Sequence, residues 1–244
     1  FRGVGTEQVE RALKAILPGL RTLRMDADTT KHKGSHDLIF KKFRSGKADV
    51  LIGTQMIAKG LHFPAVTLVG VLNSDSALNL PDFRASENVF QLIMQVSGRA
   101  GRSDLPGEVI IQTSLPKHPL FHFIKKHNYQ AFFDEEIAAR EMFSYPPFSN
   151  LVKITYAGKN EDDVKNFAKN FQKTLLKKLP SQYTIYPAIP SGYAKIKDFY
   201  RYKILVKGPR SLFLSKLLSD LRDKESTKSK VRILCDIDPH SIFS

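Results

Sequence analysis

Asp49-Val50-Leu51-Ile52-Gly53-Thr54-Gln55-Met56-Ile57-Ala58-Lys59-Gly60-Leu61-His62-Phe63-Pro64 is the stretch on which the fold class turns. An apolar run ends at Gly53, a polar Gly/Thr/Gln/Lys loop follows, and a second apolar run occupies Ala65 to Leu72. Unbroken Val, Leu and Ile suit strands covered on both faces, as in a parallel sheet. Upstream, Val9, Leu13, Ile16 and Leu17 predict a helix over 6–17, with Glu7 and Glu10 in its acid-favouring first turn. Pro18-Gly19 ends it, and a short strand is expected over 20–25. A helix over about 35–45 takes Ser35 as N-cap and turns Leu38, Ile39 and Phe43 inward. Downstream come a helix over 86–97, a strand over 108–112 and helical segments over 118–127 and 129–143. The order α-β-α-β-β-α-β-α predicts an α/β domain, a parallel sheet flanked by helices.

Ser144-Tyr145-Pro146-Pro147 breaks this alternation and predicts a boundary, with one domain over 1–143 and another over 144–244. The second reads as strand 149–157, helix 161–178, strand 183–187, strand 200–206, helix 210–222 and strand 231–237. That βαββαβ order is the split arrangement of a small two-layer α+β domain. Its halves form a weak internal repeat: Val152-Lys153-Ile154 leads to Gly158 and a helix, and Tyr202-Lys203-Ile204 leads to Gly208 and a helix.

Composition narrows the classes. The chain has 244 residues, 42% hydrophobic and 25% charged, which is globular rather than disordered. No apolar run approaches the roughly 20 residues that cross a bilayer, so no membrane partner is expected. A single cysteine, Cys235, excludes an internal disulfide and a cysteine-rich zinc site. The opening Phe1-Arg2-Gly3, with no initiator Met and no signal peptide, reads as a fragment. The formal charge of +14 points to a polyanionic partner. It is uneven: residues 1–145 hold 19 Lys+Arg against 15 Asp+Glu, and residues 146–244 hold 19 against 9. The C-terminal part is therefore the candidate nucleic-acid footprint, and Arg201, Lys203 and Lys207, interleaved with Tyr193, Tyr200 and Tyr202, are its candidate DNA-contacting cations. The same residues also suit a solvated basic surface with ordinary strand packing.

Gln95-Val96-Ser97-Gly98-Arg99-Ala100-Gly101-Arg102 carries the sharpest chemical signal. Arginines three apart share a side if the helical path continues, and the glycines let a phosphate approach the backbone. Phosphoryl transfer spreads negative charge over the γ-phosphate oxygens, and a positioned guanidinium stabilises it by about a thousand- to a hundred-thousand-fold in rate. Two arginines at a helix C-terminus are the plainer alternative. In the first stretch, Thr54 and Gln55 follow a buried strand at its C-terminal end, where open α/β sheets bind ligands. Lys59 and Gly60 suit a phosphate backbone or a nucleotide edge. An ordinary polar loop is the alternative there.

Together these two stretches resemble motifs V and VI of superfamily 2 helicases. Through Gly53–Leu72 and Leu78–Arg102, including Leu-Asn-Leu-Pro-Asp-Phe-Arg-Ala-Ser-Glu-Asn, the chain is similar to the primosomal replication-restart helicases. Phe1 to Glu10 resembles the segment after that family's zinc-binding insertion, and the ending Asp236-Ile-Asp-Pro-His-Ser-Ile resembles its terminal strand. The resemblance implies a RecA-like second helicase lobe over 1–143 and a basic DNA-binding and docking domain over 144–244. It implies that Gln95, Arg99, Arg102 and Gly60 face ATP, with Arg102 as the arginine finger and Arg99 beside it. Thr54, Gln55 and Lys59 would take the DNA backbone. Many related helicases carry Asp where this chain has His62, which leaves that residue's role open.

Other features of the sequence set limits. No G-x-x-x-x-G-K-[ST] occurs; Gly46-Lys47 and Gly158-Lys159 lack its flanking residues. Asp134-Glu135-Glu136 mimics a metal motif but lies in a helical pattern and reads as a solvated face. His118 and His122 bracket Pro119 with no carboxylate nearby, so no metal is expected. The resemblance places zinc only in the upstream insertion, and ATP with Mg²⁺ only in a full-length enzyme whose N-terminal helicase lobe supplies the phosphate loop. The fragment alone is expected to have negligible ATPase activity. The expected function is the C-terminal part of an ATP-dependent 3′-to-5′ DNA helicase acting on single-stranded and branched DNA at stalled forks. The implied partners are single-strand-binding protein and other primosome proteins, and the implied location is the bacterial cytoplasm and nucleoid. The alternatives are a non-catalytic nucleic-acid-binding and docking module and a lobe of a double-stranded DNA translocase.

Overall fold

Alternating helix and strand patterns in the first half of the chain give parallel strand pairs, and the second half gives an antiparallel sheet. The computed structural model describes residues 5–30, 32, 34–58, 65–98, 107–209, 212–226 and 230–243. These divide into two compact units, residues up to 80 with 85–132, and residues 81–84 with 133 onward.

In the first unit, α1 (Thr6–Ile16) leads to β1 (Thr22–Met25), α2 (Ser35–Arg44) and β2 (Val50–Gly53). A 3-10 turn (Gln55–Ala58), β3 (Leu68–Val71), α3 (Asp75–Leu78), α4 (Ala85–Ser97), β4 (Glu108–Ile111) and α5 (Pro119–Lys125) follow. β1 pairs in parallel with β2, from Thr22 opposite Val50 to Met25 opposite Gly53. β3 pairs in parallel with β4, from Leu68 opposite Glu108 to Val71 opposite Ile111. Helix α1 lies against both β1 and β2, α2 against β1, and α4 against β3. Val89, Phe90 and Ile93 of α4 bury with Leu120 and Ile124 of α5 and with Phe132. Residues 65–72 read as covered on both faces, yet Leu68 on β3 and Ile110 on β4 are 55% and 53% exposed. Among the described residues, α4 covers one side of this pair and nothing seals the other. Ser35 is the first residue of α2 rather than its cap; Gly34, at φ +87°, precedes it with no side-chain cap.

The second unit begins within α6 (Tyr129–Met142). It holds β5 (Asn150–Gly158), α7 (Glu161–Lys178), β6 (Thr184–Ile185), β7 (Ile189–Ile196), β8 (Phe199–Gly208), α8 (Leu212–Ser226) and β9 (Arg232–Ile237). The sheet runs β6-β8-β5-β9, antiparallel throughout, with β7 also paired to β8. Strand β7 is an addition to the βαββαβ order expected from the sequence. It joins β8 through Lys197-Asp198, both at positive φ, which is the geometry of a two-residue hairpin turn. Alternate residues Val152, Ile154 and Tyr156 of β5, with Tyr202, Ile204 and Val206 of β8, face one way. Val164, Ala168, Phe171 and Leu175 of α7 and Leu214, Leu218 and Leu221 of α8 close over them. Helix α7 starts where Asn160 Oδ1 accepts the Asp163 N–H, with Glu161, Asp162 and Asp163 in its first turn.

Candidate functional site

The parallel strands of the first unit all end toward short polar turns. At the end of β1, the buried Asp26 closes a turn: Oδ1 accepts the N–H groups of Asp28 and Thr29, and Oδ2 accepts Thr6 Oγ1 and Arg24 Nε. The Thr6 hydroxyl, and the Thr29 and Arg24 donors, hold this carboxyl far below its ordinary pKa despite burial. Beside it, β2 ends at Gly53. A Cβ at Gly53 would lie 2.6 Å from Ile57 Cγ2 and 2.7 Å from the Met25 carbonyl oxygen, so only glycine lets the 3-10 turn fold back there. That turn leaves Thr54 and Gln55 exposed while Ala58 is buried. Helix α4 packs against the same turn, and Gln95, near its C-terminal end, is exposed. Thus Thr54 and Gln55 are presented to solvent from a strand end, and Gln95 from the helix that packs on their turn. Arg99, Arg102, Lys59 and Gly60, with His62, lie outside the described residues.

Two further aspartates brace the strands of this unit, Asp75 at the end of β4 and Asp49 at the starts of β1 and β2, and neither was singled out in the sequence. Asp75 accepts Thr113 Oγ1, Ser114 Oγ and the Ser114 N–H, tying the end of β4 to α3; these bonds, Ser114 first, lower its pKa. Asp49, paired with both the N–H and the guanidinium of Arg21, falls to about 2 and joins the starts of β1 and β2. The lone pairs of Asp26 and Asp75 are taken up by protein donors. No group of three or more His, Cys, Asp or Glu side chains able to hold a metal occurs among the described residues. These residues therefore do not fit a Mg²⁺ site. His118 is an N-cap, its Nδ1 accepting the Leu120 N–H at the start of α5. Glu136 of the Asp134-Glu135-Glu136 run pairs with Arg140 one turn on, as a helix face does.

In the second unit the three candidate cations differ from one another. Arg201 is partly exposed on β8. Lys203, expected as an outward cation, is instead 5% exposed: its ammonium points inward and donates to the carbonyls of Ile242 and Phe243 (2.9 Å to the latter). Burial, and then the neighbouring Lys153, lower its pKa, and Asp82 opposes them. Lys207 is half-committed, donating to the Phe143 carbonyl at 2.8 Å and lying over the rings of Tyr145 and Tyr186.

The inward lysines belong to a clasp invisible in the sequence. Lys153 Nζ donates to the Ser241 carbonyl at 2.7 Å. From the other side, Asp82 Oδ2 accepts Ser241 Oγ at 2.6 Å, the Ile242 N–H at 2.9 Å and the Phe243 N–H at 3.3 Å. The tail 241–243 is thus held by cations on its carbonyls and a carboxylate on its N–H groups. Phe83 stacks on Tyr145 at 5.1 Å, and Arg84 donates to His240 Nδ1 at 3.0 Å. Residues 81–84, read as part of the first domain, are therefore a strap bound to the second unit.

Two family models match this chain, a helicase conserved C-terminal domain over residues 4–104 and a primosomal protein N C-terminal domain over residues 141–240. The chain belongs to the family of replication restart proteins. The RecA-like character of the first unit follows from the first match. Replication restart protein PriA of Chlamydia pneumoniae is 47% identical over 243 residues, covering 100% of this chain and 32% of that protein. The Bacillus subtilis protein of the same name is 43% identical over 246 residues, covering 100% and 31%. That of Haemophilus influenzae is 38% identical over 241 residues, covering 98% and 33%. The chain spans about a third of the length of these relatives. No helix among the described residues is long and apolar enough to cross a membrane.

Proposed function

We propose that this chain supplies the second nucleotide-facing lobe and a DNA-contacting C-terminal domain to an ATP-driven 3′-to-5′ DNA helicase that restarts replication at stalled or branched forks. The observation that carries the proposal is the pairing of an exposed Thr54-Gln55 turn at a parallel strand end with helix α4, which packs on that turn and ends at Ser97, two positions before Arg99 in the sequence. In this reading the first domain extends over 1–143 and the basic one over 144–244. Gln95, Arg99, Arg102 and Gly60 face ATP; Thr54, Gln55, Lys59 and Arg201 face DNA. ATP and Mg²⁺ would be cradled by an N-terminal helicase lobe, and bound ATP supplies the phosphoryl group whose transfer drives movement. This chain's part is a guanidinium placed against the charge that develops on that group. The partners would be single-stranded and branched DNA, single-strand-binding protein and other primosome proteins, in the bacterial cytoplasm and nucleoid.

Arg102→Ala in a full-length enzyme tests the assignment. The expected result is a fall in kcat of at least about a thousandfold with DNA affinity retained. An unchanged kcat removes Arg102 from the finger role. This chain alone is expected to turn over no measurable ATP, and turnover comparable to an intact helicase contradicts the division of labour. A second reading, a non-catalytic nucleic-acid-binding and docking module, is favoured by the charge of residues 146–244, 19 basic against 9 acidic.

A further inference from the structure

Helix α7 carries Lys165, Lys169, Lys173 and Lys177 at four-residue intervals. Its opposite face, Val164, Ala168, Phe171 and Leu175, is buried against β5 and β8, so the helix cannot roll and the lysine stripe is held outward. Lys169, Lys173 and Lys177 are exposed and Lys165 partly so. Among the described residues none of the four makes an ion pair. Each step rises about 6 Å and turns about 40°, so the stripe runs for about 18 Å while winding about a third of the way round the helix. Like charges four apart destabilise a helix by about 0.2–0.5 kcal/mol per pair. The three acidic residues of α7 all sit in its first turn, and none follows among the lysines to offset that cost. The helix dipole favours a cation in the last turn, which accounts for Lys177, and Glu161 lies one turn before Lys165; Lys169 and Lys173, mid-helix, have neither support.

We propose that this stripe is a docking surface for the phosphate backbone of duplex DNA. The proposal rests on the nucleic-acid role above and says which surface serves it. Of the other cations weighed in this unit, Lys153 and Lys203 bond tail carbonyls and Lys207 bonds the Phe143 carbonyl, while Arg201 stays partly exposed on β8 as a lone cation rather than a stripe. Between the lysines the outward positions include the exposed, polar Asn166 and Asn170 and one exposed apolar residue, Leu176. Single strands are held largely by stacking bases on exposed aromatic rings, and the aromatic residues of α7, Phe167 and Phe171, pack inward instead. A duplex strand presents a phosphate about every 3.4 Å of axis, so an 18 Å stripe passes about five, and lysines read backbone charge without reading sequence.

The test uses the whole 244-residue chain and fluorescence anisotropy with a labelled mixed-sequence duplex and a matching single strand over a KCl series. A triple variant, Lys169→Gln with Lys173→Gln and Lys177→Gln, is compared with a charge-matched control, Lys41→Gln with Lys47→Gln and Lys125→Gln. Neutralised phosphates set the salt dependence of binding, about 0.9 per phosphate for duplex. The slope of log K against log salt is expected to shrink by about 2.7 in the stripe variant and much less in the control, with thermal unfolding unchanged or slightly raised. Duplex binding with equal slopes in both variants overturns the stripe while the broader DNA-binding reading stands. A loss confined to the single strand overturns the duplex assignment. No duplex or single-strand binding by the unmodified chain overturns the broader reading itself.

Discussion

Asp82→Ala is the substitution with the widest consequence, because one carboxylate joins the strap to the tail. The carboxylate accepts four donors: Ser241 Oγ, the N–H groups of Ile242 and Phe243, and the Arg84 N–H at 3.1 Å. A hydrogen bond to a charged group contributes about 1.5–3 kcal/mol. The carboxylate is only half-buried, so the low end applies, and the two shortest bonds then give about 3 kcal/mol. Alanine also leaves the Ile242 N–H beside the buried Lys203 with no anion near it. The assay is urea unfolding followed by tyrosine fluorescence, since seven of the eight tyrosines lie in the second unit. Asp82→Asn, which keeps an acceptor and drops the charge, should recover about half of the loss. The pH dependence follows in sign. Burial resists ionisation of Asp82, but Ser241 and the three N–H groups outweigh it and hold the folded pKa below its ordinary value. The contribution is therefore complete above the unfolded value near about 4 and fades as pH falls through the folded one, so wild type and Asp82→Ala should converge in acid. A urea midpoint unmoved at neutral pH, with the tail no more open to carboxypeptidase, would refute the clasp.

Gly53→Ala sets a methyl against the Met25 carbonyl in the adjacent strand, which cannot swing aside as a side chain could. A loss of about 1–3 kcal/mol is expected, seen as a lower melting temperature by circular dichroism, and an unchanged melt would show that the turn after β2 relaxes freely. Cys235 lies on β9 against the second core, where burial raises its thiol pKa and Arg222 only partly opposes it. Maleimide labelling at neutral pH should be slow until denaturant is added, and labelling at the rate of a free thiol would place Cys235 outside the core.

Elements whose signals are local were legible in the sequence. Helix α7 spans the 161–178 expected of it, because an Asn cap, three acids and an apolar stripe all agree within that segment. The parallel strands appeared as unbroken apolar runs, although the sequence could not say that Leu68 and Ile110 would stay exposed; covering a face is a property of what packs there. Strand β7 went unread because Pro190 and Gly192 interrupt its pattern and only Ser191 among its residues is buried. Its turn is Lys-Asp, without the glycine that advertises a hairpin. Lys203 was misjudged for a related reason. It alternates with Tyr202 and Ile204, which is the signature of an outward residue on a sheet with one wet face. That face is roofed by residues 241–243, about 40 positions away, and a roof so distant leaves no periodic trace in β8.

The strap shows the same limit. Leu-Pro-Asp-Phe-Arg reads locally as a polar turn before a helix, and it is one: Arg84 is followed directly by Ala85, the first residue of α4. What the local pattern omits is that Asp82, Phe83 and Arg84 find their partners at Ser241, Tyr145 and His240. Residues 81–84 consequently take their contacts within the second unit, through a carboxylate and a stacked ring. Strap and tail are thus joined by hydrogen bonds at Asp82 and Arg84 whose partners lie 159 and 156 positions away, a separation that no local periodicity can encode.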